Sequence, residues 1–390
     1  MTSFSWIVGL ALLYLLLLGK KSGLARQVAR NEPRLPPSDG AGVAIAQPIL
    51  SGDPRLAEVL ADNLRELPAA RFLWLVDLDD AEAQRVCNDL ATGHPEMKIE
   101  ISLHAQPPDG KNPKLWKLEQ SRAAHPAHPE STAEPVFLVL DDDTRMPGPT
   151  LAALLSALES HSVATSLPGY LDDGRWPSRL LAQFVDNNAA LTYLPLLPFL
   201  PPLTINGMAY ALQRKKLDEM GGFSPLLCHL TDDLAVAETV LAAGGTIFQT
   251  ARPHWVETTV RDGKHYRQLM HRWFLFALLL LRKQPLQIRA TIGLLHALPP
   301  LLLLGLVVTS AIAPSPAGLA VLIATLALRG LGLAALQRTI YGRTLEAPAT
   351  SILSELLQPF HLLHAVCWRR IVWRTRRYKV QDDQHFTAIE

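Results

Sequence analysis

Three long apolar stretches constrain this chain more than any other feature of its sequence. They cover residues 4–18, 290–313 and 317–336, and only a short uncharged link separates the last two. A helix needs about 20 predominantly apolar residues to cross a bilayer. We therefore predict an N-terminal membrane anchor within residues 1–22 and a transmembrane hairpin over residues 290–337.

Basic residues flank these stretches on one side only. Lys20 and Lys21 follow the first stretch, and Arg338 follows the last, ahead of a run of arginines and a lysine between residues 369 and 379. Because positive flanks stay in the cytosol, we expect the N-terminus outside and residues 338–390 as a basic cytosolic segment. A cleaved signal peptide is the alternative for the first stretch, but its positive charge would precede the apolar run.

Composition sets further limits on the class of protein. Hydrophobic residues make up 48% of the 390 residues and charged residues 19%, which suits one soluble domain joined to a few spans rather than a bundle of many spans. A formal net charge of +1 gives no indication of a nucleic-acid partner. The three cysteines are far apart, so neither a disulfide framework nor a zinc cluster is predicted. We expect an integral protein of a bacterial inner membrane with its soluble domain in the cytosol.

Between the anchor and the hairpin, apolar runs of strand type alternate with stretches of helical spacing. The strand-type runs are residues 42–49, 72–76, 97–103 and 136–140. This alternation predicts an α/β domain over residues 40–260, with a mostly parallel sheet flanked by helices. Ligands of such sheets bind beyond the carboxyl ends of the strands. We therefore expect the chemistry just after Val76 and just after Leu140.

Aspartates cluster at those two strand ends. They are Asp77, Asp79 and Asp80 after the second strand, and Asp141, Asp142 and Asp143 after the fourth. Crowded carboxylates repel one another unless a cation or a donor-rich ligand lies between them. Mg²⁺ is typically bound by one or two carboxylates together with phosphate oxygens of a ligand, and Asp141 and Asp143 are spaced to share one such ion. For the first cluster, a solvated helix cap is an equally good explanation.

A third acidic pair, Asp232 and Asp233, precedes a stretch of helical spacing. Ordinary capping of that helix is one interpretation, and a general base beside the reacting carbon of a sugar is the other. Two polar segments add candidate binding residues. The lysines of residues 110–114 can approach phosphate, and we expect the passage that begins with Asn206 and Gly207 to line a cleft.

These clusters, in this order and spacing, resemble those of the ceramide glucosyltransferase-like inverting glycosyltransferases over roughly residues 42–273. The resemblance implies the A-type glycosyltransferase fold, a UDP-sugar donor, Mg²⁺ or Mn²⁺, and a hydroxylated lipid acceptor. It assigns Asp141 and Asp143 to the metal, and Asp232 and Asp233 to the catalytic position, with Asp233 as the base. Residues that match the donor-side motifs or lie beside them are Asp77, Asp79, Asp80, Lys111, Asn112, Lys114, Asn206 and Gly207.

The last motif of that family is Gln or Arg, then two residues, then Arg-Trp. Arg272 and Trp273 supply its end, and the resemblance implies that Arg272 contacts the diphosphate while Trp273 shapes the mouth of the acceptor site. Leu269 occupies the first position of the motif. Gln268, shifted by one residue, is the candidate substitute.

The apolar stretch at residues 274–281 is too short to span a bilayer. We expect residues 261–289 to form interfacial helices that hold the catalytic cleft against the membrane, where a lipid hydroxyl can reach Asp233. A buried core helix is the alternative. Together with these segments, the resemblance implies a membrane glycosyltransferase that moves a hexose, of glucose or N-acetylglucosamine type, from a UDP-sugar to a lipid hydroxyl with inversion.

Two other functions stay open at this point. A processive polysaccharide synthase of the same fold needs a transmembrane channel for its polymer, which three predicted spans do not favour. A non-catalytic membrane scaffold with a decayed site would account for the altered last motif, although aspartates are retained at all three acidic sites.

Overall fold

The chain folds into one unit built around a β-sheet and one unit built of helices. The computed structural model describes residues 3–125, 134–344, 347–373 and 376–389. The sheet unit consists of Glu32–Asp173, Phe199–Thr259 and Thr375–Glu390. The helical unit consists of Met1–Asn31, Gly174–Pro198 and Val260–Arg374.

The secondary structure follows the alternation seen in the sequence. The strands are β1 (Val43–Ile49), β2 (Arg71–Asp77), β3 (Lys98–His104), β4 (Val136–Leu140), β5 (Thr144–Arg145), β6 (Val163–Tyr170), β7 (Ala209–Gln213), β8 (Ile247–Val256), β9 (Arg370–Trp373), β10 (Arg376–Val380) and β11 (Phe386–Ile389). The helices of the sheet unit are α2 (Leu56–Glu66), α3 (Ala81–Gly93), α4 (Pro113–Ala124), α5 (Gly148–Ala157), α7 (Arg214–Glu219) and α8 (Asp232–Ala242). Those of the helical unit are α1 (Ser3–Asn31), α6 (Trp176–Tyr193), α9 (Gly263–Lys283), α10 (Leu286–Ile292), α11 (Leu298–Ile312), α12 (Pro316–Tyr341), α13 (Pro348–Leu356) and α14 (Gln358–Cys367).

The central sheet has the strand order β3-β2-β1-β4-β7-β6-β8-β5. The strands β3, β2, β1 and β4 pair in parallel, as do β6 and β8. The strand β7 pairs antiparallel with β4 and β6, and the short strand β5 pairs antiparallel with β8. All strands of this sheet except β7 and β5 therefore run in one direction, which confirms the predicted mostly parallel sheet.

Helices bury both faces of this sheet. Along β2, Phe72, Trp74 and Val76 join a core cluster that includes residues of α2, α3 and α5. Leu73 and Leu75, which alternate with them, join a second cluster with residues of α4 and α8. Successive side chains of a strand point to opposite faces, so a strand covered on both sides must be apolar throughout. This requirement explains why β2 and β4 stay apolar up to the point where their aspartates begin.

In the helical unit, three helices of the described chain are long and apolar enough to cross a membrane. They are Ser3–Asn31 (α1), Leu286–Ile312 (α10 and α11 with the π-helical turn between them) and Pro316–Tyr341 (α12). The first continues past its apolar part through a basic segment of good helix formers and ends just before Pro33. The second and third are joined by a short turn, as predicted for the hairpin.

A buried ion pair joins the third of these helices to α13. Arg329, midway along α12, lies 2.7 Å from Glu355 Oε2 and donates to the Ser351 hydroxyl and carbonyl at 3.0 and 2.9 Å. The Tyr14 hydroxyl of α1 lies 3.0 Å from both Glu355 oxygens. An arginine within a spanning segment is costly unless it finds a partner inside the protein. Here the partners come from the segment after the hairpin.

The segment after Arg338, which the sequence characterises only by its basic charge, forms two helices and contributes strands. The helix α13 packs against α6, and α14 packs against α9. Along α14 the side chains of Phe360, Leu363 and Val366 are exposed, and Trp368 is exposed just after it. The helix α14 therefore carries an apolar face that the described part of the chain does not cover.

The ion pair between Arg329 and Glu355 should dominate the stability of the helical unit. Removing one partner of a buried pair typically costs about 3–5 kcal/mol. We therefore expect Glu355→Gln to lower the midpoint of thermal unfolding in detergent by more than Tyr14→Phe, which leaves the pair intact. Combining Glu355→Gln with Arg329→Met should recover most of the loss. Equal effects of Glu355→Gln and Tyr14→Phe would contradict this assignment.

Candidate active site

A lysine joins two of the three acidic clusters. Lys114 Nζ lies 2.7 Å from Asp141 Oδ1 and 2.8 Å from Asp232 Oδ2, and it donates to the Gly207 carbonyl at 2.6 Å. Burial by itself would lower the pKa of Lys114, but Asp141 and Asp232 raise that pKa well above its ordinary value. The ammonium is thus held in its charged form between the two carboxylates. Clusters that are far apart in the sequence meet around it.

Asn112 places Lys114 at the start of α4. Its side-chain oxygen accepts from the amides of Lys114 and Leu115 at 2.9 and 3.2 Å, which caps the helix. Its amide nitrogen donates to the carbonyls of His229 and Leu230 at 3.0 and 3.1 Å, just before α8. The Asn112 side chain, which was predicted to bind a ligand, is therefore buried. It caps α4 and holds the backbone just before α8.

Lys111 lies in the same loop as Asn112, but its side chain takes another direction. Its Nζ lies 3.1 Å from Cys228 Sγ, at an exposed position. Of the two lysines predicted from this loop, the structure brings Lys114 to the carboxylates and turns Lys111 toward Cys228.

The turn before β7 brings backbone close to Asp232 and Asp233. A Cβ atom at Gly207 would lie 3.2 Å from Asp233 Cβ and 3.5 Å from each carboxylate oxygen of Asp232. Asn206 shapes the turn through two hydrogen bonds. Its side-chain Oδ1 accepts from the Met208 backbone amide at 3.0 Å, and its backbone amide donates to Thr165 Oγ1 at 3.0 Å. The structure thus brings Asn206 and Gly207 next to the third acidic cluster.

The pKa of Asp233, the predicted base, is raised by its surroundings. The loss of water around its carboxylate raises the pKa of Asp233 to about 7, and the negative charge of Asp232 adds to this effect. The Leu234 amide, which donates to Asp233 Oδ1 at 2.8 Å, and the charge of Lys114 act in the opposite direction. A carboxylate with such a pKa can take up and release a proton near neutral pH.

The three aspartates after β4 have different surroundings. Asp142, in the middle, is buried and accepts from the Leu50 amide at 2.8 Å, which ties β4 to the end of β1. Asp143 accepts from the hydroxyls of Thr258 at 2.6 Å and Thr144 at 3.3 Å. Asp141 pairs with Lys114. Asp142 is buried in its contact, whereas Asp141 and Asp143 are partly exposed, so these two are the candidate ligands.

The carboxylates of Asp141 and Asp143 could supply some, but not all, of the ligands that a hard divalent cation needs. Carboxylate oxygens suit Mg²⁺ and Mn²⁺, and Asp141 and Asp143 each carry two of them. Within the described residues, no group of three or more His, Cys, Asp or Glu side chains is arranged to hold a metal ion. A cation at this position would therefore complete its shell with water and with oxygens of a ligand.

The first acidic cluster lies at the ends of β1 and β2, with a separate role for each carboxylate. Asp77 forms an ion pair with Lys117 at 2.9 Å. Asp80 accepts from the amides of Ser51 and Ala83 at 2.8 and 3.0 Å and caps α3. Although burial opposes the effect, these backbone hydrogen bonds hold the pKa of Asp80 below its ordinary value. Helix capping, one of the two explanations that the sequence allowed for this cluster, accounts for the contacts of Asp80.

Asp79 is the exposed member of the first cluster. Its carboxylate accepts from the Gln106 side chain at 3.0 and 3.2 Å. Asp80 holds the loop through two backbone amides, whereas Asp79 lies toward solvent. Of the three aspartates, Asp79 is therefore the one best placed to meet a ligand from outside.

Sequence reasoning missed two residues beside these clusters. Lys117 lies three residues after Lys114, on the same side of α4, and this spacing is a signal that could have identified it. Tyr210, on β7, is fully buried, and its hydroxyl has no hydrogen-bond partner among the described residues. Burial, followed by the charge of Asp232, raises the pKa of Tyr210 well above its ordinary value. An aromatic residue in a strand carries no sequence signal beyond that of a core residue.

The predicted Arg272 and Trp273 belong to the helical unit, on α9. The Trp273 ring stacks on Phe184 of α6, with ring centroids 6.3 Å apart. Leu269, at the first position of the motif, is buried, and Gln268 is half-buried. Their predicted contacts with the donor and the acceptor remain predictions.

Comparisons with known proteins agree with this geometry. The family described as glycosyl transferase family 21 matches residues 4–386. No curated protein matches the chain. Among solved structures, the chain is similar to the mannosyltransferase PcManGT from Pyrobaculum calidifontis, solved in complex with GDP-Man and Mn²⁺. The two are 15% identical with a TM-score of 0.54, over 94% of this chain and 98% of that one. This likeness confirms the predicted A-type glycosyltransferase fold.

Weaker similarities extend to two further solved structures. One is S. aureus TarS 1-349 in complex with UDP-GlcNAc, with 10% identity and a TM-score of 0.37, covering 89% of this chain and 99% of that one. The other is glucosyl-3-phosphoglycerate synthase from Mycobacterium tuberculosis, solved with Mn²⁺, UDP and phosphoglyceric acid. It is 16% identical with a TM-score of 0.32, covering 60% of this chain and 78% of that one.

The raised pKa of Asp233 gives stability a pH dependence of definite sign. From its ordinary pKa of 3.8 up to about 7, the folded state binds more protons than the unfolded state, so this carboxylate destabilises the fold as pH rises through that window. We expect Asp233→Asn to raise the midpoint of thermal unfolding by several degrees at pH 8, and by clearly less at pH 5. A difference between the two proteins that is the same at both pH values would contradict the assigned surroundings of Asp233.

Proposed function

Because the chain belongs to glycosyltransferase family 21, we propose that it transfers a hexose from a UDP-sugar to a hydroxyl of a membrane lipid with inversion. The observation that carries this proposal is the position of Lys114 between Asp141 and Asp232. That position supports a single site in which the carboxylates for a metal-bound diphosphate and the carboxylate for the acceptor hydroxyl act together.

On the donor side, Asp141 and Asp143 would hold Mg²⁺ or Mn²⁺. When bound, the ion neutralises the charge that develops on the departing nucleotide diphosphate. The A-type fold that this chain shares with a mannosyltransferase solved with Mn²⁺ supports this choice. Asp79, with Asp77 and Lys117 behind it, would bind the nucleotide at the ends of β1 and β2. Arg272 would contact the diphosphate, as the resemblance to ceramide glucosyltransferase-like enzymes implies.

On the acceptor side, Asp233 would remove the proton of the attacking hydroxyl. The acceptor oxygen then bonds to the anomeric carbon while the bond to the diphosphate oxygen breaks, and the proton ends on Asp233. Direct displacement of this kind inverts the configuration at that carbon. Its neighbour Asp232 is paired with Lys114, whereas Asp233 has a pKa of about 7. Different surroundings thus assign the two adjacent carboxylates different roles, one for positioning and one for proton transfer.

A lipid acceptor is supported by the helical unit. Its three candidate spans can place the chain in a bilayer. The exposed apolar face of α14, followed by Trp368 and Arg369, has the composition of a helix lying at a membrane surface. By contrast, Leu275 and Leu279 of the predicted interfacial stretch are buried against neighbouring elements. We therefore place the contact with lipid on α14 as well as on the exposed residues of α9.

A single transfer is favoured over processive synthesis. Three candidate spans within the described residues offer few helices to enclose a channel for a polymer. We accordingly propose one hexose per acceptor, on a ceramide-like or other hydroxylated lipid of a bacterial inner membrane, with the catalytic domain in the cytosol.

The proposed base can be tested by Asp233→Asn in the purified full chain. Loss of the general base should lower transfer by about 100-fold or more, while the affinity for UDP with Mn²⁺ stays close to that of the unchanged protein. Transfer would be followed by mass spectrometry of a membrane lipid extract supplied with UDP-glucose, UDP-N-acetylglucosamine or GDP-mannose. Full activity of Asp233→Asn would refute the mechanism, and a product made only from GDP-mannose would refute the donor.

The proposed lipid contact of α14 can be tested by labelling. Leu363→Cys, in a chain whose exposed Cys228 and Cys367 are replaced by serine, would carry a fluorescent label in nanodiscs that contain nitroxide lipids. We expect strong quenching at this position and little at the matched control Glu96→Cys, which is exposed in the sheet unit. Quenching at Leu363→Cys that is as weak as at Glu96→Cys would place α14 in water and remove this support for a lipid acceptor.

A further inference from the structure

The turn between β10 and β11 buries a carboxylate. The two strands pair antiparallel from Arg377 with Ile389 to Val380 with Phe386. In the turn between them, Asp382 and Gln384 are exposed, but Asp383 is only 1% exposed. A buried carboxylate is stable only if its oxygens are well supplied with donors.

Those donors come from three consecutive residues just before α8. Asp383 Oδ1 accepts from the Thr231 amide at 2.9 Å and from the Thr231 hydroxyl at 2.5 Å. Asp383 Oδ2 lies 2.7 Å from His229 Nδ1. The backbone carbonyl of Asp383 also accepts from the Leu230 amide at 2.7 Å. One residue near the C-terminus therefore fixes the whole approach to α8.

These contacts replace the usual cap of that helix. Thr231 stands at the N-cap position of α8, yet its hydroxyl makes no capping bond to the helix. It donates instead to Asp383. A threonine at this position normally satisfies a free amide of the first turn. Its orientation here is determined by Asp383, and the next two residues are Asp232 and Asp233.

The same segment is also held by Asn112. Asn112 donates to the carbonyls of His229 and Leu230, while Asp383 accepts from the Leu230 and Thr231 amides. Two sets of hydrogen bonds therefore hold the backbone before α8, one from the start of α4 and one from the turn between β10 and β11. Rotation of the first turn of α8, which would move Asp232 away from Lys114, is opposed by both.

We propose that Asp383 is a positioning residue of the transferase reaction, which holds the start of α8 so that Asp232 meets Lys114 and Asp233 faces the acceptor hydroxyl. This inference rests on the proposed function, because it takes Asp233 as the base. It gives Asp383, in the turn between β10 and β11, a role in holding the catalytic residues. A segment that the sequence characterises only by positive charge thus acts through one buried negative charge.

A double-mutant cycle between Asp383 and Thr231 tests this role. Misplacing a reacting group by about 1 Å can cost about 100-fold in rate, so we expect Asp383→Asn and Thr231→Val each to lower kcat by about 10-fold to 100-fold. The double variant should be no slower than the slower single variant, because both changes weaken the same contact. Thr231→Ser, which keeps the hydroxyl, should restore kcat. Losses that multiply, or a kcat unchanged in Asp383→Asn, would overturn the proposal.

Further measurements separate positioning from a general loss of structure. We expect Thr231→Val to lower the midpoint of thermal unfolding, because Asp383 loses one donor, but to leave the affinity for UDP with Mn²⁺ close to that of the unchanged protein. A fall in the affinity for UDP that parallels the fall in kcat would show a merely structural role. The matched control is Asp382→Asn, whose carboxylate contacts Gln384 and His385 of the same turn. It should leave kcat unchanged.

Failure of this inference can be distinguished from failure of the proposed function. If Asp233→Asn is inactive and Asp383→Asn is fully active, the base stands and only the role of Asp383 falls. If Asp233→Asn is fully active, the proposed function itself is wrong. Should Asp383→Asn fail to fold, the comparison of Thr231→Val with Thr231→Ser decides, since these variants differ at a single hydroxyl contact.

Discussion

The arrangement of the acidic clusters in the sheet unit depends on one largely buried ammonium group. Asp141, Asp232 and Asp233 come from different parts of the chain, and their charges would drive them apart if no cation lay between them. Lys114 supplies that cation from the first turn of α4. The cap at Asn112, the absence of a side chain at Gly207 and the hydrogen bonds of Asp383 all bear on where that ammonium and its partners lie. These contacts form a connected network around one charge.

Much of this site could be predicted because its acidic residues follow apolar strands. Strands covered on both faces must be apolar, so the abrupt change to Asp141 or Asp77 marks a strand end where ligands bind. The sequence could not assign each carboxylate its contact, since Asp80 and Asn112 are residue types that suit a ligand and a helix cap equally well. Asp383 was missed for a different reason. Its partners are distant along the chain, and only the folded sheet unit brings them together.

In the helical unit, composition alone predicted the anchor and the hairpin, because length and apolarity are the properties that a bilayer selects. The helices α13 and α14 escaped prediction, since each is too short to span and the surrounding charge suggested a solvated tail. The apolar stretch of α9 shows the same ambiguity. Leu275 and Leu279 pack inside the unit, while Ala277 between them is exposed. The same short apolar stretch therefore has one buried side and one exposed side.

The pairing of Arg329 with Glu355 has a consequence for biosynthesis. The ribosome makes α12 with its arginine before it makes the glutamate on α13, so the hairpin meets the membrane while that positive charge still lacks its partner. Inserting an arginine at the centre of a span costs about 2.5–3.5 kcal/mol on translocon-based scales. We therefore expect α12 to be held fully in place only after α13 has emerged and docked.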